Sequence, residues 1–515
     1  MGKEQMRIID NKAIHLRLRH PNKVTTVIPK SQVVDNGVLV HWGLEETRVL
    51  RNLNIKVPSP IMGKYKWTGK HKPFEHQKTT AAFLTLNKRA FCFSEMGTGK
   101  TASAIWAADY LLNQGVINRV LVVCPLSIMD SAWRNDLFTF AMHRTVDVAY
   151  GSAAKRKGIV ERGSDFVVIN YDGIPTVYDE IKAGGFDLII IDEGNAYKNA
   201  QTSRWKTMNS LIGPDTWVWL MTGTPAAQTP TDAFGIAKLL NPMAVPRAFG
   251  RFRDQVMYKV SQFRWIPKDT AKDTVHRVLQ PAVRFTKEQC LDLPEMTYTK
   301  RICELTRQQK KYYKEMKNEM MIAASGEEVT AVNAAVNLNK LLQLSSGALY
   351  TDNGETLEFD ISNRYNVLKE IIEESEKKVL IFAQFKHIIE MLNAKLNEEG
   401  IATAIINGSV SASKRTAIFK RFQEDSDPQV LVIQPQAAAH GVTLTEATTV
   451  VWWGPTSSLE TYAQANARIH RAGQTCSTTV IQLEGSRAEK HVYDMLDNKM
   501  DIHSGIIDLY KALLD

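Results

Sequence analysis

Ser94-Glu95-Met96-Gly97-Thr98-Gly99-Lys100-Thr101 stands between a short apolar run, Ala90 to Phe93, and a stretch with helical character, Thr101 to Asn113. A strand feeding a glycine-containing turn that opens a helix is the setting a phosphate-binding loop requires. Glycines at 97 and 99 let the backbone curl, so that the N–H groups of the Met96 to Thr101 stretch face phosphate oxygens at the helix N-terminus. Lys100 then reaches the β- and γ-phosphates, and the Thr101 hydroxyl is placed to ligate Mg²⁺. Ser94 stands where the general GxxxxGK[ST] pattern has its first glycine, a small residue where small size can suffice. The bland alternative is a chance glycine-rich turn before a helix.

The next signal outward is Leu188-Ile189-Ile190-Ile191-Asp192-Glu193, an apolar strand with two carboxylates at its C-terminal end, where ligands bind in parallel sheets. Asp192 would hold Mg²⁺ through water, and Glu193 would polarise a water in line with the γ-phosphate. Taken alone, such a pair could merely cap the following helix. Beside a phosphate loop it implies ATP hydrolysis, with ATP and Mg²⁺ as the groups bound.

Around these motifs, short apolar runs alternate with helical stretches, the rhythm of a parallel sheet with crossover helices. Strands are predicted at Ala90 to Phe93, Val120 to Cys124, Phe166 to Ile169, Leu188 to Ile191 and Val218 to Met221, which make one α/β lobe within residues 71–235. A second set, Val379 to Phe382, Thr403 to Ile406, Val430 to Ile433, Thr449 to Trp452 and Thr478 to Gln482, makes another within 356–485. Between them, residues 236–355 read as a helical, basic insertion and linker. Residues 1–70 read as an N-terminal accessory segment ending in a Pro-, Gly- and Lys-rich stretch, and 486–515 as a C-terminal helical tail.

With 515 residues, 44% hydrophobic and 23% charged, the chain has the composition of a soluble globular protein of two or three domains. No apolar run approaches the roughly 18 residues a membrane span needs, and no secretory signal opens the sequence, so a cytoplasmic location is expected, or a nuclear one if the source is eukaryotic. Five scattered cysteines have neither disulfide nor zinc-ligand spacing. The net charge of +9 suggests an acidic polymer as partner, since Lys and Arg gain affinity by releasing phosphate counterions.

Further segments, in order, carry a resemblance. Phe74-Glu75-His76-Gln77 resembles the glutamine motif of superfamily 2 helicases, which implies that Gln77 bonds the adenine base. Val122-Val123-Cys124-Pro125-Leu126-Ser127 with Trp133 resembles motif Ia of the Swi/Snf-type branch, and Leu220-Met221-Thr222-Gly223-Thr224-Pro225 its motif III. Val379 to Phe385 resembles motif IV, His440-Gly441-Val442-Thr443-Leu444 motif V, and Gln464-Ala465-Asn466-Ala467-Arg468-Ile469-His470-Arg471-Ala472-Gly473-Gln474 motif VI. The resemblance covers about residues 74–485. It implies two tandem RecA-like lobes with ATP between them, Gly441 among the nucleotide contacts, and a catalytic set of Lys100, Asp192, Glu193, Gln464, Arg468 and Arg471. If the motif VI segment is one helix, Gln464, Arg468 and Arg471 share a face. The sequence departs from the family at Gly194-Asn195, where relatives carry Ala-His, and at Gln434 to Ala439, where they carry a Thr-Arg and glycine-rich run.

What the resemblance implies for a partner is DNA, duplex or branched, held through phosphates without sequence preference. By position the contacts are expected at Pro125, Leu126, Ser127 and Thr222 in the first lobe, and at Gln384, Ser409, Thr443 and Thr445 in the second. No membrane is involved, and the protein is expected to work as a monomer or to be recruited by other DNA-processing proteins. Trp452 and Trp453 are expected to pack into the lobe rather than stack on bases. The leading reading is an ATP-driven translocase on duplex DNA. A strand-separating DNA or RNA helicase and a DNA-binding module with a vestigial ATPase stay open. The compact length, with no chromatin-reading module in view, fits a bacterial or viral source.

Overall fold

The computed structural model describes residues 6–35, 37–69, 71–223, 225–226, 229–260, 265–290, 294–326, 331–350, 355–438, 442–471 and 473–498. The chain divides into two compact units, one formed by Met1–Ala226 with Pro230–Cys290, the other by Leu291–Asp515 with residues 227–229.

The first unit opens with a small antiparallel sheet of four strands, β1 (Met6–Ile9), β2 (Ala13–Leu16), β3 (Ser31–Val34) and β4 (Gly37–His41), in the order β1-β2-β4-β3. Alternation puts Ile14, Leu16, Val38 and Val40 on one face, where they bury against Trp42, Leu50 and Val57. The extension is therefore a folded layer with its own core. It is fixed to the body of the unit by Arg48, whose guanidinium lies 4.7 Å from the Trp217 ring and donates to the Thr85 carbonyl at 2.8 Å.

The main sheet of this unit is built from β5 (Arg89–Cys92), β6 (Val120–Cys124), β7 (Val146–Val148), β8 (Phe166–Asn170), β9 (Leu188–Asp192) and β10 (Trp217–Met221). After a β11–β12 hairpin (Met257–Lys259 and Trp265–Pro267) the two-residue strand β13 (Ala282–Val283) returns to its edge, and the order is β13-β5-β10-β9-β6-β8-β7, every pair parallel. Both faces are covered. Phe91, Leu121, Val123, Ile189, Ile191 and Leu220 pack on one side, while Ala90, Cys92, Val122, Ile190, Trp219 and Met221 pack on the other. Burial on both faces is why these strands read as unbroken apolar runs.

The second unit repeats the plan. Its sheet runs β14-β21-β20-β17-β19-β18, again all parallel, from β14 (Met296–Ile302), β17 (Lys378–Phe382), β18 (Thr403–Ile406), β19 (Val430–Ile433), β20 (Ala447–Trp452) and β21 (Thr478–Glu484). A small hairpin, β15 (Ala348–Tyr350) with β16 (Thr356–Glu358), lies between β14 and β17 in sequence. Trp452 and Trp453 are fully buried, their indole N–H groups donating to Asn466 Oδ1 and to the Ser346 carbonyl, so they are core residues. The helix Arg487–Asp497 is N-capped by Ser486 and buries Val492, Tyr493 and Leu496 on the sheet.

The stretch 236–355, expected as one helical insertion, is divided between the units, and β13 and β14 within it complete the edges of the two parallel sheets. Neither strand announces itself in the sequence. One is two residues long, and the other is an edge strand whose residues are exposed from Thr297 to Ile302.

Candidate functional site

Register puts the phosphate loop and the acidic pair on one edge of the first sheet. Met221 of β10 pairs with Cys92 on one side and with Asp192 on the other, so the ends of β5, β10 and β9 form a row. The loop leaving β5 turns at Gly97 (φ +85°) and Gly99 (φ +78°), a left-handed conformation that favours glycine. The helix Lys100–Asn113 starts immediately after it. Lys100 Nζ bends back over the loop and donates to the carbonyls of Ser94 (2.8 Å) and Glu95 (3.3 Å).

Ser94 is more than a small residue. Its buried Oγ accepts the Phe285 N–H at 3.1 Å, the Glu95 N–H donates to the Phe285 carbonyl at 2.9 Å, and the Lys287 N–H donates to Glu95 Oε2 at 3.1 Å. The segment that follows β13 is thus stitched to the phosphate loop, and a glycine at 94 would lose one stitch.

The glutamine motif also meets the loop. Gln77 Oε1 accepts the Phe74 N–H at 3.0 Å and its Nε2 donates to the Thr98 carbonyl at 3.3 Å, while His76 Nε2 lies 2.8 Å from the same carbonyl. A Cβ on Gly99 would overlap the Gln77 carboxamide, so the glycine is needed for close approach as well as for its backbone angle. In this arrangement Gln77 caps its own helix and braces the loop. A carboxamide offers two N–H groups and two lone-pair positions, so one of each stays available for a base.

Asp192 is buried at the end of β9. Trp133 Nε1 donates to its Oδ2 at 2.9 Å and the Glu193 N–H to its Oδ1 at 3.0 Å. Burial pushes its carboxyl above the ordinary range, against the opposing pull of the Lys100 charge and of these two donors. Glu193 adopts φ +50°, ψ +54°, a strained conformation for a residue with a side chain. Tyr171, directly after β8, holds the turn by donating its hydroxyl to the carbonyls of Asp192 (2.5 Å) and Glu193 (3.2 Å). Gly194 has a local reason: a Cβ there would run into the Leu220 side chain. The family's Ala at this position is incompatible with Leu220 where it sits.

In the sequence Trp133 stands out only as part of motif Ia, and Tyr171 not at all. Trp133 lies in a π-helical turn, Met129–Arg134, which turns its indole inward. The available signal for Tyr171 was its place one residue past a strand end in a parallel sheet, where ligand-facing residues gather.

Of the expected DNA contacts in this unit, Pro125, Leu126 and Ser127 follow the end of β6, with Leu126 half exposed. Thr222 differs from expectation. It is fully buried and its N–H is spent on the Cys92 carbonyl at 3.1 Å, because the chain stays in the ladder one residue past β10.

In the second unit Gln464 sits on the helix Leu459–Asn466, N-capped by Ser458, and donates to Glu460 Oε1 at 3.1 Å. Arg468 and Arg471 do not continue that helix, so the expectation of three residues along one helical face fails. Tertiary bonds draw the chain off into a turn. The Leu444 N–H donates to the Arg468 carbonyl at 2.9 Å, Arg471 Nη1 donates to the Val442 carbonyl (3.0 Å) and Thr443 Oγ1 (3.3 Å), and Gln474 Nε2 donates to the carbonyls of Thr445, Ala447 and Ile469. The motif V segment after Gly441 and the arginine turn are therefore one hydrogen-bonded assembly that includes Thr443 and Thr445. Gly441 and His440 lie outside the described residues. Gln384 and Ser409 follow β17 and β18: Gln384 donates its amide to the Pro455 carbonyl, and Ser409 Oγ donates to Asn407 Oδ1 at 2.6 Å.

Two parallel α/β units, one bearing a phosphate loop beside an acidic pair whose Asp192 is buried and the other an arginine turn, define the class of two-lobed nucleoside triphosphatases with RecA-like lobes. The chain belongs to the SNF2-related domain family, which matches residues 76–347, and residues 363–473 match the helicase conserved C-terminal domain. Among its relatives, mouse chromodomain-helicase-DNA-binding protein 1-like is 25% identical over 436 residues, 80% of this chain and 47% of that protein. The SWI/SNF-related matrix-associated actin-dependent regulator of chromatin subfamily A-like protein 1 homolog of Caenorhabditis elegans is 25% identical, covering 83% of this chain and 61% of that protein. The chain thus spans about half the length of the curated relatives it matches. A Sulfolobus solfataricus SWI2/SNF2 ATPase core solved in complex with dsDNA aligns over 86% of this chain and 96% of that one, with 23% identity and a TM-score of 0.43. Among the described residues no helix is long and apolar enough to cross a membrane, and no cluster of His, Cys, Asp and Glu could hold a metal ion by itself.

Proposed function

We propose that the protein is a DNA-dependent ATPase that couples hydrolysis to movement along duplex DNA. The observation that carries the reading is the register row Cys92–Met221–Asp192, which sets a glycine-built phosphate loop and a buried carboxylate on one sheet edge. The residues fit a triphosphate. In the loop, Lys100 rests on two carbonyls that a phosphate would outcompete, since a charged acceptor makes the stronger hydrogen bond. They also fit Mg²⁺, which keeps most of its waters and asks for one or two protein oxygens. The Thr101 hydroxyl would supply one directly, and Asp192, each of whose oxygens already carries one donor, would hold the ion through a bound water.

In this mechanism Lys100 and the N–H groups of Met96 to Thr101 bind the phosphates, and Gln77 turns its remaining N–H and lone pair to the base. Glu193 orients the attacking water, its position set by the strained turn that Tyr171 clamps. Arg468 and Arg471 bring positive charge to the departing phosphate, a role worth about 10³ to 10⁵ in rate where it has been dissected, and Gln464 supports them. Gly441 is assigned to the nucleotide by the family resemblance alone. Arg471, bonded to Thr443, connects that charge to a segment proposed to grip the DNA backbone with Thr445, Gln384, Ser409 and the Pro125–Ser127 turn. The mouse relative is by name a DNA-binding protein, which agrees with this choice of partner. Duplex or branched DNA without sequence preference, a monomeric motor and work in the cytoplasm complete the proposal.

The test is steady-state phosphate release with duplex, forked, single-stranded and RNA ligands. Duplex DNA should stimulate turnover most. Stimulation by single strands alone points to strand separation, and turnover indifferent to every nucleic acid removes the motor reading.

A further inference from the structure

The charge of the chain is not spread over its lobes. The first 73 residues contain 14 Lys and Arg against 5 Asp and Glu, and the remaining 442 contain 50 of each, so the whole excess of +9 resides in the N-terminal layer and the linker behind it. Residues 74–515, which hold the two parallel sheets, are neutral.

In the structure the part of this charge carried by Arg7, Lys12, Arg17, Arg19 and Lys23 is outward and, among the described residues, without a carboxylate partner. The antiparallel sheet spends one face on its core of Ile14, Leu16, Val38 and Val40. On the other face Arg7 of β1 pairs in register with His15 of β2, and the alternation carries on past β2 to Arg17 and Arg19, both exposed, with Leu18 between them turned to the core. Lys12 in the β1–β2 turn and Lys23 are exposed as well. Among the described residues none of these six is within ion-pair distance of a carboxylate. Glu46 is buried and lies close to Lys30 and His41 (3.8 and 3.5 Å), so the layer's own acids do not offset the arginines. Unpaired arginines on a sheet face have no folding role. Removing them costs the core nothing, whereas opposite a polyanion each releases a counterion.

We propose that this sheet face is a second nucleic-acid contact, which holds the phosphate backbone of duplex DNA independently of the nucleotide state of the motor. Duplex DNA, rather than another polyanion, is chosen on the strength of the motor reading. The layer is suited to transmit such a grip, because it is bolted to the first unit through Arg48 on Thr85 and Trp217 and through a hydrogen bond between Ser59 and Thr85. Neither the phosphate loop nor the arginine turn takes part, so its affinity persists when ATP is absent.

The test uses the full chain carrying Arg7→Gln, Arg17→Gln and Arg19→Gln, three exposed positions outside every core, with thermal unfolding as the control for folding. Binding of a labelled blunt duplex is followed by anisotropy across a salt series without nucleotide. The slope of log affinity against log salt should fall by roughly 1 for each arginine engaged, with an affinity loss of tenfold or more at low salt. DNA-stimulated turnover at saturating duplex should stay at the wild-type value. A triple variant that melts like the wild type and binds the duplex with the same slope overturns the proposal, as does a loss seen for RNA and not for duplex. Failure of the wild-type chain itself to bind duplex would sink the motor reading too, so the two failures are distinguishable.

Discussion

Trp133 shows at the residue scale how an active-site carboxylate is held. Its indole N–H is one of two donors to Asp192 and lies in a turn that no apolar periodicity announces. Trp133→Phe keeps the ring's bulk and removes the donor. Leaving a buried acceptor unsatisfied costs about 1–3 kcal/mol, and a carboxylate free to rotate positions its metal poorly. We expect a lowered melting temperature and at least a tenfold fall in kcat with a smaller change in the KM for ATP, read by thermal melts and steady-state hydrolysis. Asp192 itself is expected to show the opposite sign for stability. Because burial raises its pKa in the folded chain, the folded state holds its proton more tightly than the unfolded one, and stability is lost as pH rises through that raised value. Asp192→Asn should abolish hydrolysis and remove this contribution to the pH dependence, so that the melting temperature of the nucleotide-free wild type relative to the variant falls as pH rises from ~4, the ordinary carboxylate range, to neutrality. A difference in melting temperature between the two proteins that is the same at every pH would refute it.

At the scale of elements, what the sequence disclosed depended on where side chains were buried. Nine of the ten strands read from the sequence were legible because both of their faces are covered, which forces apolar runs such as Leu188–Ile191 and Val430–Ile433, and the tenth, the edge strand β18, was legible from its run Thr403–Ile406 although only Ile406 is buried. The edge strands β7, β13 and β14 were not, since β7 and β13 are only three and two residues long and β14 is exposed from Thr297 to Ile302. The end of the helix at Asn466 was equally hidden, because the bonds that stop it come from Leu444 and Gln474, and no proline or glycine stands between Asn466 and Ala472. A further element-level bond had no sequence signal at all. Arg364, on the helix Ser362–Glu374, and Glu489, on the helix Arg487–Asp497, form a bidentate pair at 2.7 and 2.6 Å, with both side chains buried. Removing one partner strands the other charge, so Glu489→Ala should destabilise the second unit by about 3–5 kcal/mol. Replacing the pair by Met and Leu should recover most of that loss, measured by urea unfolding of the full chain.

For the molecule as a whole, the motifs pointed to two strand ends that the register sets side by side. The phosphate loop and the acidic pair lie at the strand ends that the sequence indicated, and the burial of Thr222 was not legible because a motif does not say which of its residues are covered. Binding and hydrolysis are expected to separate cleanly. Lys100→Ala should lower turnover at least a hundredfold and leave duplex affinity without nucleotide within twofold of wild type, since Lys100 contacts only its own loop. Anisotropy and phosphate release on one preparation check both.

The stitching of Ser94 and Glu95 to Phe285 and Lys287 has a mechanical corollary. Ser94 and Glu95 open the turn that leads into Lys100, and shortly after Lys287 the chain leaves the first unit at Cys290, so the cradle and the exit cable share a knot. Slack between them is limited to a few hydrogen bonds. A displacement of Phe285 or Lys287 is therefore felt directly at the residues that lead into Lys100, the place where the fuel would be held.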